Sequence, residues 1–155
     1  MKPILFLDID GVLWQYSDVT PIPAPADGLK DFWSFATGHF DIYWLTAWMI
    51  NRTVVPKDVA INLWKHTDIP VEDIMACPVA PWREYKDEGV RAVIGDTDRQ
   101  WAWVEDELMH KEIEWLVDTD NMWRYIFCDV FEDKDSLIKA TGNLKIVLDR
   151  ISIVI

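Results

Sequence analysis

Cysteine is scarce in this chain, which has two cysteines among its 155 residues. Cys77 and Cys128 lie far apart and lack the close spacing of a zinc or redox motif. We expect both thiols to be reduced and buried, as in cytoplasmic proteins, with a disulfide as the less favoured alternative.

Long apolar runs and histidine metal motifs are also missing. No run approaches the roughly 18 residues that a transmembrane helix needs, so no membrane partner is expected. The start, MKPILFLDID, reaches an aspartate at its eighth position, which is not typical of a signal peptide. The three histidines lack HExxH or comparable spacing. These patterns predict a cytoplasmic protein without a histidine metal site.

Positive charge is in short supply, because 15 Lys and Arg residues stand against 27 Asp and Glu residues, for a formal net charge of −12. An acidic surface repels phosphate backbones, which disfavours a large nucleic-acid interface. A small phosphorylated substrate held through a metal ion remains compatible with this charge.

Apolar residues are plentiful, at 50% of the chain, and their patterns alternate between strand and helix. Apolar runs predict strands at 4–9, 40–45, 73–79, 100–105 and 124–130. Helical patterns predict helices at 28–37, 56–66, 83–94 and 142–154. Strands separated by helices form parallel sheets. We therefore expect one three-layer, Rossmann-like α/β domain over residues 1–155, with about five parallel strands.

The first predicted strand runs into FLDIDGVLW, residues 6–14, and ends in two carboxylates. Asp8 and Asp10 are two positions apart, so on an extended chain both side chains point the same way. Gly11 follows at once and lets the chain turn away, bringing its backbone close to a ligand. A buried strand rarely ends in two carboxylates without a function.

Polar side chains also end the second and fourth predicted strands, at Thr46 and at Glu105 and Asp106. Ligands of α/β sheets bind at the carboxyl ends of the strands, near the point where strand order reverses. We expect these groups to converge there with the first strand's aspartates. Crowded carboxylates repel unless a cation lies among them, and oxygen ligands suit Mg²⁺.

Four segments, taken in order, resemble the motifs of the haloacid dehalogenase-like superfamily of phosphotransferases. They are FLDIDGVL, YWLTAW, Lys86 at a predicted helix start, and WAWVEDEL. The resemblance covers residues 4–108 well, and beyond them only the strand and helix pattern is similar. It also extends to the small domains of this type that accompany RNA-repair proteins.

This resemblance implies a Mg²⁺-dependent phosphohydrolase that acts through an aspartyl-phosphate. It makes Asp8 the nucleophile and Asp10 the acid that protonates the leaving oxygen and then activates water. Thr46 would hydrogen-bond the phosphoryl oxygens, and Lys86 would offset their charge. An aspartate at the position of Asp10 points to phosphate esters, because members with other chemistries tend to replace it.

The resemblance also implies how substrate and metal are held. Substrate would contact Gly11, Thr46 and Ala47. The implied Mg²⁺ ligands are Asp8, the carbonyl of Asp10, and Glu105 or Asp106. We favour Asp106 over Glu105, with the reverse left open.

Two motif assignments have rivals in the sequence. VIGDTD, residues 93–98, resembles another form of the fourth motif. It follows Lys86 too closely for a helix and a strand to fit between them, so WVEDEL is preferred. Arg83 or Lys57 could take the place of Lys86.

Trp14 and Trp48 follow the first and second motifs by a few residues. We expect both to lie near the crevice, where an indole can stack on a nucleotide base. The alternative, that they only cover the site and exclude water, is slightly favoured.

The spacing leaves no room for a cap domain, because about 35 residues separate Asp10 from Thr46 and about 40 separate Thr46 from Lys86. Members without a cap often act on macromolecules or nucleic-acid ends. A nucleotide or a phosphorylated small molecule is the favoured substrate, and a polynucleotide end is the alternative. A catalytically silent binding or regulatory module is a further alternative. A receiver-like domain is disfavoured, because the predicted strand at 73–79 ends without an acid.

Overall fold

The structure is a computed structural model that describes residues 1–15, 22–95 and 97–153. In chain order its elements are β1 (Ile4–Leu7), β2 (Trp14–Gln15), β3 (Ala24–Pro25), α1 (Leu29–His39), β4 (Asp41–Trp44), α2 (Lys57–Thr67), α3 (Val71–Ala76), α4 (Lys86–Ile94), β5 (Trp101–Glu105), α5 (His110–Asp118), β6 (Tyr125–Phe127) and α6 (Ser136–Ile153). Single turns of 3-10 helix cover Ala47–Met49 and Met122–Arg124.

β1 lies inside a four-stranded sheet of order β4–β1–β5–β6, in which every neighbouring pair is parallel. Leu7 pairs with Trp44 of β4 on one side and with Val104 of β5 on the other. The chain therefore adds strands first on one side of β1 and then on the other. That reversal places the ligand crevice of this fold at the carboxyl end of β1.

Both faces of β1 are buried, which explains its continuous apolar sequence. Ile4 and Phe6 pack in a cluster with Val90 of α4 and Leu116 of α5. Leu5 and Leu7 belong to the second cluster, on the opposite face, which α1, α2 and α6 help to build. The predicted three-layer α/β fold with a central parallel sheet is confirmed.

The prediction of a third strand at 73–79 is wrong. The parallel sheet therefore has four strands and not about five. Its first residues, 73–76, belong to α3, and only Val79 makes an isolated bridge to Trp44. A short apolar run does not distinguish a strand from a helix. Here Pro70 precedes the helix, and Glu72 and Asp73 occupy its first turn, where acids are favoured.

The sequence patterns also missed three elements and misplaced the start of a fourth. α5 was not predicted, nor was the antiparallel pair of β2 and β3. α6 begins at Ser136, six residues before the predicted start at residue 142. The predicted end of that helix, at residue 154, lies outside the described residues.

The segments where a cap domain could be inserted are occupied by small elements. Within the described part of the chain, β2, β3 and α1 lie between β1 and β4, and α2 and α3 lie between Thr46 and Lys86. None of these forms a separate domain, in agreement with the prediction. None of the helices in the three described ranges is long and apolar enough to cross a membrane.

Both cysteines are free thiols, so the disulfide alternative is wrong. Cys128 is buried as expected, whereas Cys77 is only half-buried. Burial raises the pKa of the Cys77 thiol to about 11 and that of the Cys128 thiol to about 12. Neither thiol is thus poised to act as a nucleophile near neutral pH.

Candidate active site

Asp8 follows the last residue of β1, at the carboxyl edge of the sheet, and is only 5% exposed. Its backbone N–H donates to the Val104 carbonyl of β5 at 3.2 Å, which continues the sheet by one residue. The Lys86 ammonium lies 3.1 Å from Asp8 Oδ2 and 2.5 Å from Glu105 Oε2. The sheet and the first turn of α4 thus bring a buried carboxylate and a cation into contact.

Three carboxylates meet beside that cation. Asp8, Glu105 and Asp106 each offer an oxygen, and these oxygens lie within 4.8 Å of one another. Burial, followed by the negative charge of Asp8, raises the pKa of the Glu105 carboxyl. Burial also raises the pKa of Asp106. Carboxylates that are this crowded gain stability from a further cation, and their hard oxygen donors fit Mg²⁺.

Lys86 is placed to stay charged. Burial alone would lower the pKa of its ammonium, but the carboxylates of Asp8 and Glu105 outweigh burial and raise it. Neither rival cation is placed like this, since the side chains of Arg83 and Lys57 are exposed. Lys86 is the first residue of α4, which agrees with its predicted place at a helix start.

Gly11 allows the loop after β1 to approach the end of β5. Its φ of 71° lies in the left-handed region that favours glycine. A Cβ at this position would overlap the Asp106 carboxylate, closer than real Cβ atoms come to any neighbour. The chain therefore requires glycine here if Asp106 is to lie against the first motif.

The Asp10 carboxylate is outside the three-carboxylate cluster and is held by two indoles instead. Trp14 Nε1 donates to Asp10 Oδ1 at 2.6 Å, and Trp48 Nε1 donates to Oδ2 at 2.7 Å. The Asp10 side chain is therefore not among the carboxylates that could bind a metal ion together. The resemblance implies the backbone carbonyl of Asp10 as the Mg²⁺ ligand, and that role stays a prediction.

Thr46 and Ala47 form the turn that follows β4. Leu45 N–H donates to the Leu7 carbonyl at 2.9 Å, which holds the end of this strand beside Asp8. Thr46 is fully buried and Ala47 is exposed. The Thr46 hydroxyl accepts a long 3.5 Å hydrogen bond from Trp48 N–H and begins the 3-10 turn.

The two tryptophans near the site differ in exposure. Trp14 is 1% exposed, so neither face of its ring is open to a base. Its ring packs inside the protein. Trp48 is 37% exposed and keeps part of its ring free. Base stacking thus remains a prediction for Trp48 alone.

The rival fourth motif does not end a strand. Val93 and Ile94 of VIGDTD are the last residues of α4, and its Asp96 lies outside the described residues. β5 ends at Glu105, as WVEDEL predicts. The segment chosen from the sequence is therefore the one that lies at the sheet's carboxyl edge.

Glu112 is a site residue that the sequence patterns missed. Its Oε1 accepts a 2.7 Å hydrogen bond from the Lys86 N–H, and its Oε2 accepts one of 2.7 Å from the Met109 N–H. The only local signal was an acid at the third position of a helix, which is typical of a capping box. The bond to Lys86 joins α5 to α4 and has no sequence signal, because 26 residues separate the two.

Comparisons with known proteins give little beyond this geometry. The chain matches no family model and no curated protein. It is similar to a solved Vibrio cholerae structure, provisionally assigned as a 3-deoxy-D-manno-octulosonate 8-phosphate phosphatase, at 14% identity and a TM-score of 0.41. The overlay covers 92% of this chain and 86% of the other. Similarity this low establishes no shared activity, so function is argued below from the site.

Proposed function

We propose that this protein is a Mg²⁺-dependent phosphohydrolase that uses Asp8 as its nucleophile. The observation that carries the proposal is the position of Asp8, buried at the end of a central strand, 3.1 Å from the Lys86 ammonium. A carboxylate nucleophile that attacks phosphorus needs a neighbouring cation to offset the charge of the incoming phosphate. The four sequence motifs in order support the same assignment.

Asp8 and Asp106 are the side chains that we assign to Mg²⁺. Glu105 is engaged by Lys86 at 2.5 Å, whereas Asp106 lies against Gly11 and the first motif. Bound there, Mg²⁺ would polarise the phosphoryl group and neutralise its charge. Glu105 then acts chiefly as the partner that holds the Lys86 ammonium next to Asp8.

The reaction follows from the remaining groups. An Asp8 oxygen attacks phosphorus, the bond to the leaving oxygen breaks, and that oxygen takes a proton from Asp10. Water then attacks the phosphorus of the aspartyl-phosphate, gives its proton to Asp10, and restores the Asp8 carboxylate. Thr46, buried in the turn after β4, supplies a hydroxyl donor to the phosphoryl oxygens.

The favoured substrate is a nucleotide or another small phosphate ester. The net charge of −12 opposes a long phosphate backbone, and the half-exposed Trp48 ring offers a stacking surface for one base. A polynucleotide end needs the same local contacts and is the second candidate. Mono- and oligonucleotide substrates of the same terminal base distinguish the two.

The test is phosphate release from an aryl phosphate, a nucleotide panel, and 3′- or 5′-phosphorylated oligonucleotides, with Mg²⁺ and with EDTA. Asp8→Asn is the nucleophile variant, and Asp31→Asn, an exposed aspartate of α1, is the matched control. We expect Mg²⁺-dependent release that Asp8→Asn abolishes and Asp31→Asn leaves unchanged.

Two results would contradict this proposal. Release that survives in Asp8→Asn would remove Asp8 as nucleophile. Binding of Mg²⁺ without release from any substrate would favour the silent binding module instead.

A further inference from the structure

Both oxygens of the Asp10 carboxylate are occupied by indole donors. Trp14 Nε1 donates to Oδ1 at 2.6 Å, and Trp48 Nε1 donates to Oδ2 at 2.7 Å. An indole N–H only donates, so neither tryptophan can exchange a proton with substrate. The pair can only orient the carboxylate.

We propose that Trp14 and Trp48 are positioning residues for Asp10, with unequal roles: the buried Trp14 anchors one carboxylate oxygen, and the more exposed Trp48 holds the other. The inference rests on the proposed function, because it assigns Asp10 the transfer of a proton to the leaving oxygen.

Trp14 has the properties of an anchor. Its ring is buried, and its backbone forms an isolated bridge with Asp10 itself. The ring packs edge to face against Trp48 at 5.6 Å and against His66 at 5.9 Å between centroids. These contacts fix the direction of Nε1, and with it the position of Oδ1.

Trp48 has the properties of a second, less shielded holder. Its Nε1 donates to Asp10 Oδ2, and its ring is 37% exposed, whereas Trp14 is buried. The hydrogen bond to Oδ2 is therefore more open to water than the hydrogen bond to Oδ1, so its loss should cost less than the loss of the Trp14 bond.

Trp48 also connects Asp10 to the phosphate-binding turn. Its backbone N–H donates to the Thr46 hydroxyl, while its indole holds Asp10. The Thr46 hydroxyl can accept from Trp48 N–H and donate its own hydrogen to a phosphoryl oxygen at the same time. Trp48 is thus bonded both to the residue proposed to bind phosphate and to the residue proposed to transfer the proton.

The first measurement tests the hydrogen bonds without using activity. The indole N–H signals of the ¹⁵N-labelled protein are assigned with Trp14→Phe and Trp48→Phe and then compared with those in Asp10→Ala. We expect the signals of both tryptophans to shift in Asp10→Ala. The Trp44 indole, which donates to the Ile74 carbonyl at 3.0 Å, is the internal control and should not move.

The second measurement compares kcat/KM for a dinitrophenyl phosphate, whose leaving oxygen needs no proton, with that for an alkyl phosphate, whose oxygen does. We expect Trp14→Phe to lose about ten- to a hundredfold on the alkyl ester and less than about threefold on the aryl ester. Trp48→Phe keeps the anchor and should lose less on the alkyl ester. Trp64→Phe, an exposed tryptophan of α2, should match wild type.

The outcomes separate the inference from the proposed function. Unshifted Trp14 and Trp48 signals in Asp10→Ala overturn the inference whatever the activity. Shifted signals without phosphate release support the hydrogen bonds and count against the phosphohydrolase. If Trp14→Phe lowers kcat/KM equally for both esters, the positioning role is overturned. The same holds if Trp14→Phe still lowers kcat/KM when Asp10 is already replaced by Ala.

Discussion

The backbone N–H of Lys86 donates a 2.7 Å hydrogen bond to Oε1 of Glu112, a residue of the neighbouring helix α5. Glu112 is 2% exposed, and the hydrogen bond is part-buried. Lys86 is the first residue of α4, where backbone N–H groups have no partner within the helix. Glu112 thereby fixes the point from which the Lys86 side chain reaches Asp8.

Replacing Glu112 should therefore weaken both stability and activity. Glu112→Ala removes the acceptor of two part-buried N–H groups, those of Lys86 and Met109, and water can replace it in part. We therefore expect the free energy of unfolding to fall by about 1–3 kcal/mol. Glu112→Gln keeps one acceptor oxygen and should recover part of the loss. Urea unfolding and kcat measure the two effects. Glu114→Ala, on the exposed face of α5, is the control, and a loss as large there would remove the special role of Glu112.

Gly11 should not tolerate a side chain. Gly11→Ala combines a positive φ with a Cβ that overlaps the Asp106 carboxylate, so we expect a loss of about 1–3 kcal/mol in stability and weaker Mg²⁺ binding. Gly142→Ala is a matched control, because Gly142 lies inside α6 with nothing within 4 Å of an added Cβ. That variant should gain up to about 1 kcal/mol. Thermal unfolding and Mg²⁺ titration of both variants measure these effects. If the two variants have the same Tm and the same Mg²⁺ affinity, the steric argument is contradicted.

The sequence predicted those parts of the fold that depend on local patterns. Each of β1, β4, β5 and β6 lies within an apolar run of the sequence. The aspartates, Thr46 and Glu105 lie at or just after strand ends, where the rules of parallel sheets apply. The prediction of a strand at 73–79 was wrong because a short apolar run has no period that distinguishes a strand from a helix.

The rest of the site depends on contacts between residues distant in the chain. The indole bond from Trp48 to Asp10 spans 38 residues, and the bond from Lys86 to Glu112 spans 26. A single sequence carries no signal for such pairs, because each residue alone has an ordinary local role. The convergence of Asp8 with Glu105 was predictable only because strand order in this fold class follows general rules.

Without metal, the ionisation of Glu105 should oppose folding. Its pKa is raised, first by burial and then by Asp8, so its contribution to stability is full below its unfolded pKa of about 4.3. That contribution is lost as pH rises through the folded value. In EDTA, Glu105→Gln should therefore gain stability relative to wild type as pH increases from about 4, with a slope of at most about 1.4 kcal/mol per pH unit.

The matched control for this pH dependence is Glu107→Gln, two residues along and exposed. Its stability difference from wild type should stay flat over the same pH range. Urea unfolding at five or six pH values measures both differences. A flat profile for Glu105→Gln would show that Lys86 compensates the buried charge fully.

Mg²⁺ should stabilise the fold through Asp106. A ligand that binds only the folded state adds about 2.7 kcal/mol at a concentration one hundred times its Kd, so the Tm should rise with Mg²⁺. NaCl at equal ionic strength is the necessary reference, because screening alone stabilises a chain of net charge −12. Asp106→Asn should lose the Mg²⁺-specific part of the rise and keep the part that NaCl reproduces. Glu107→Gln removes the same charge from the adjacent position, so a loss as large in that variant would mean that Mg²⁺ acts through the general acidity of the surface.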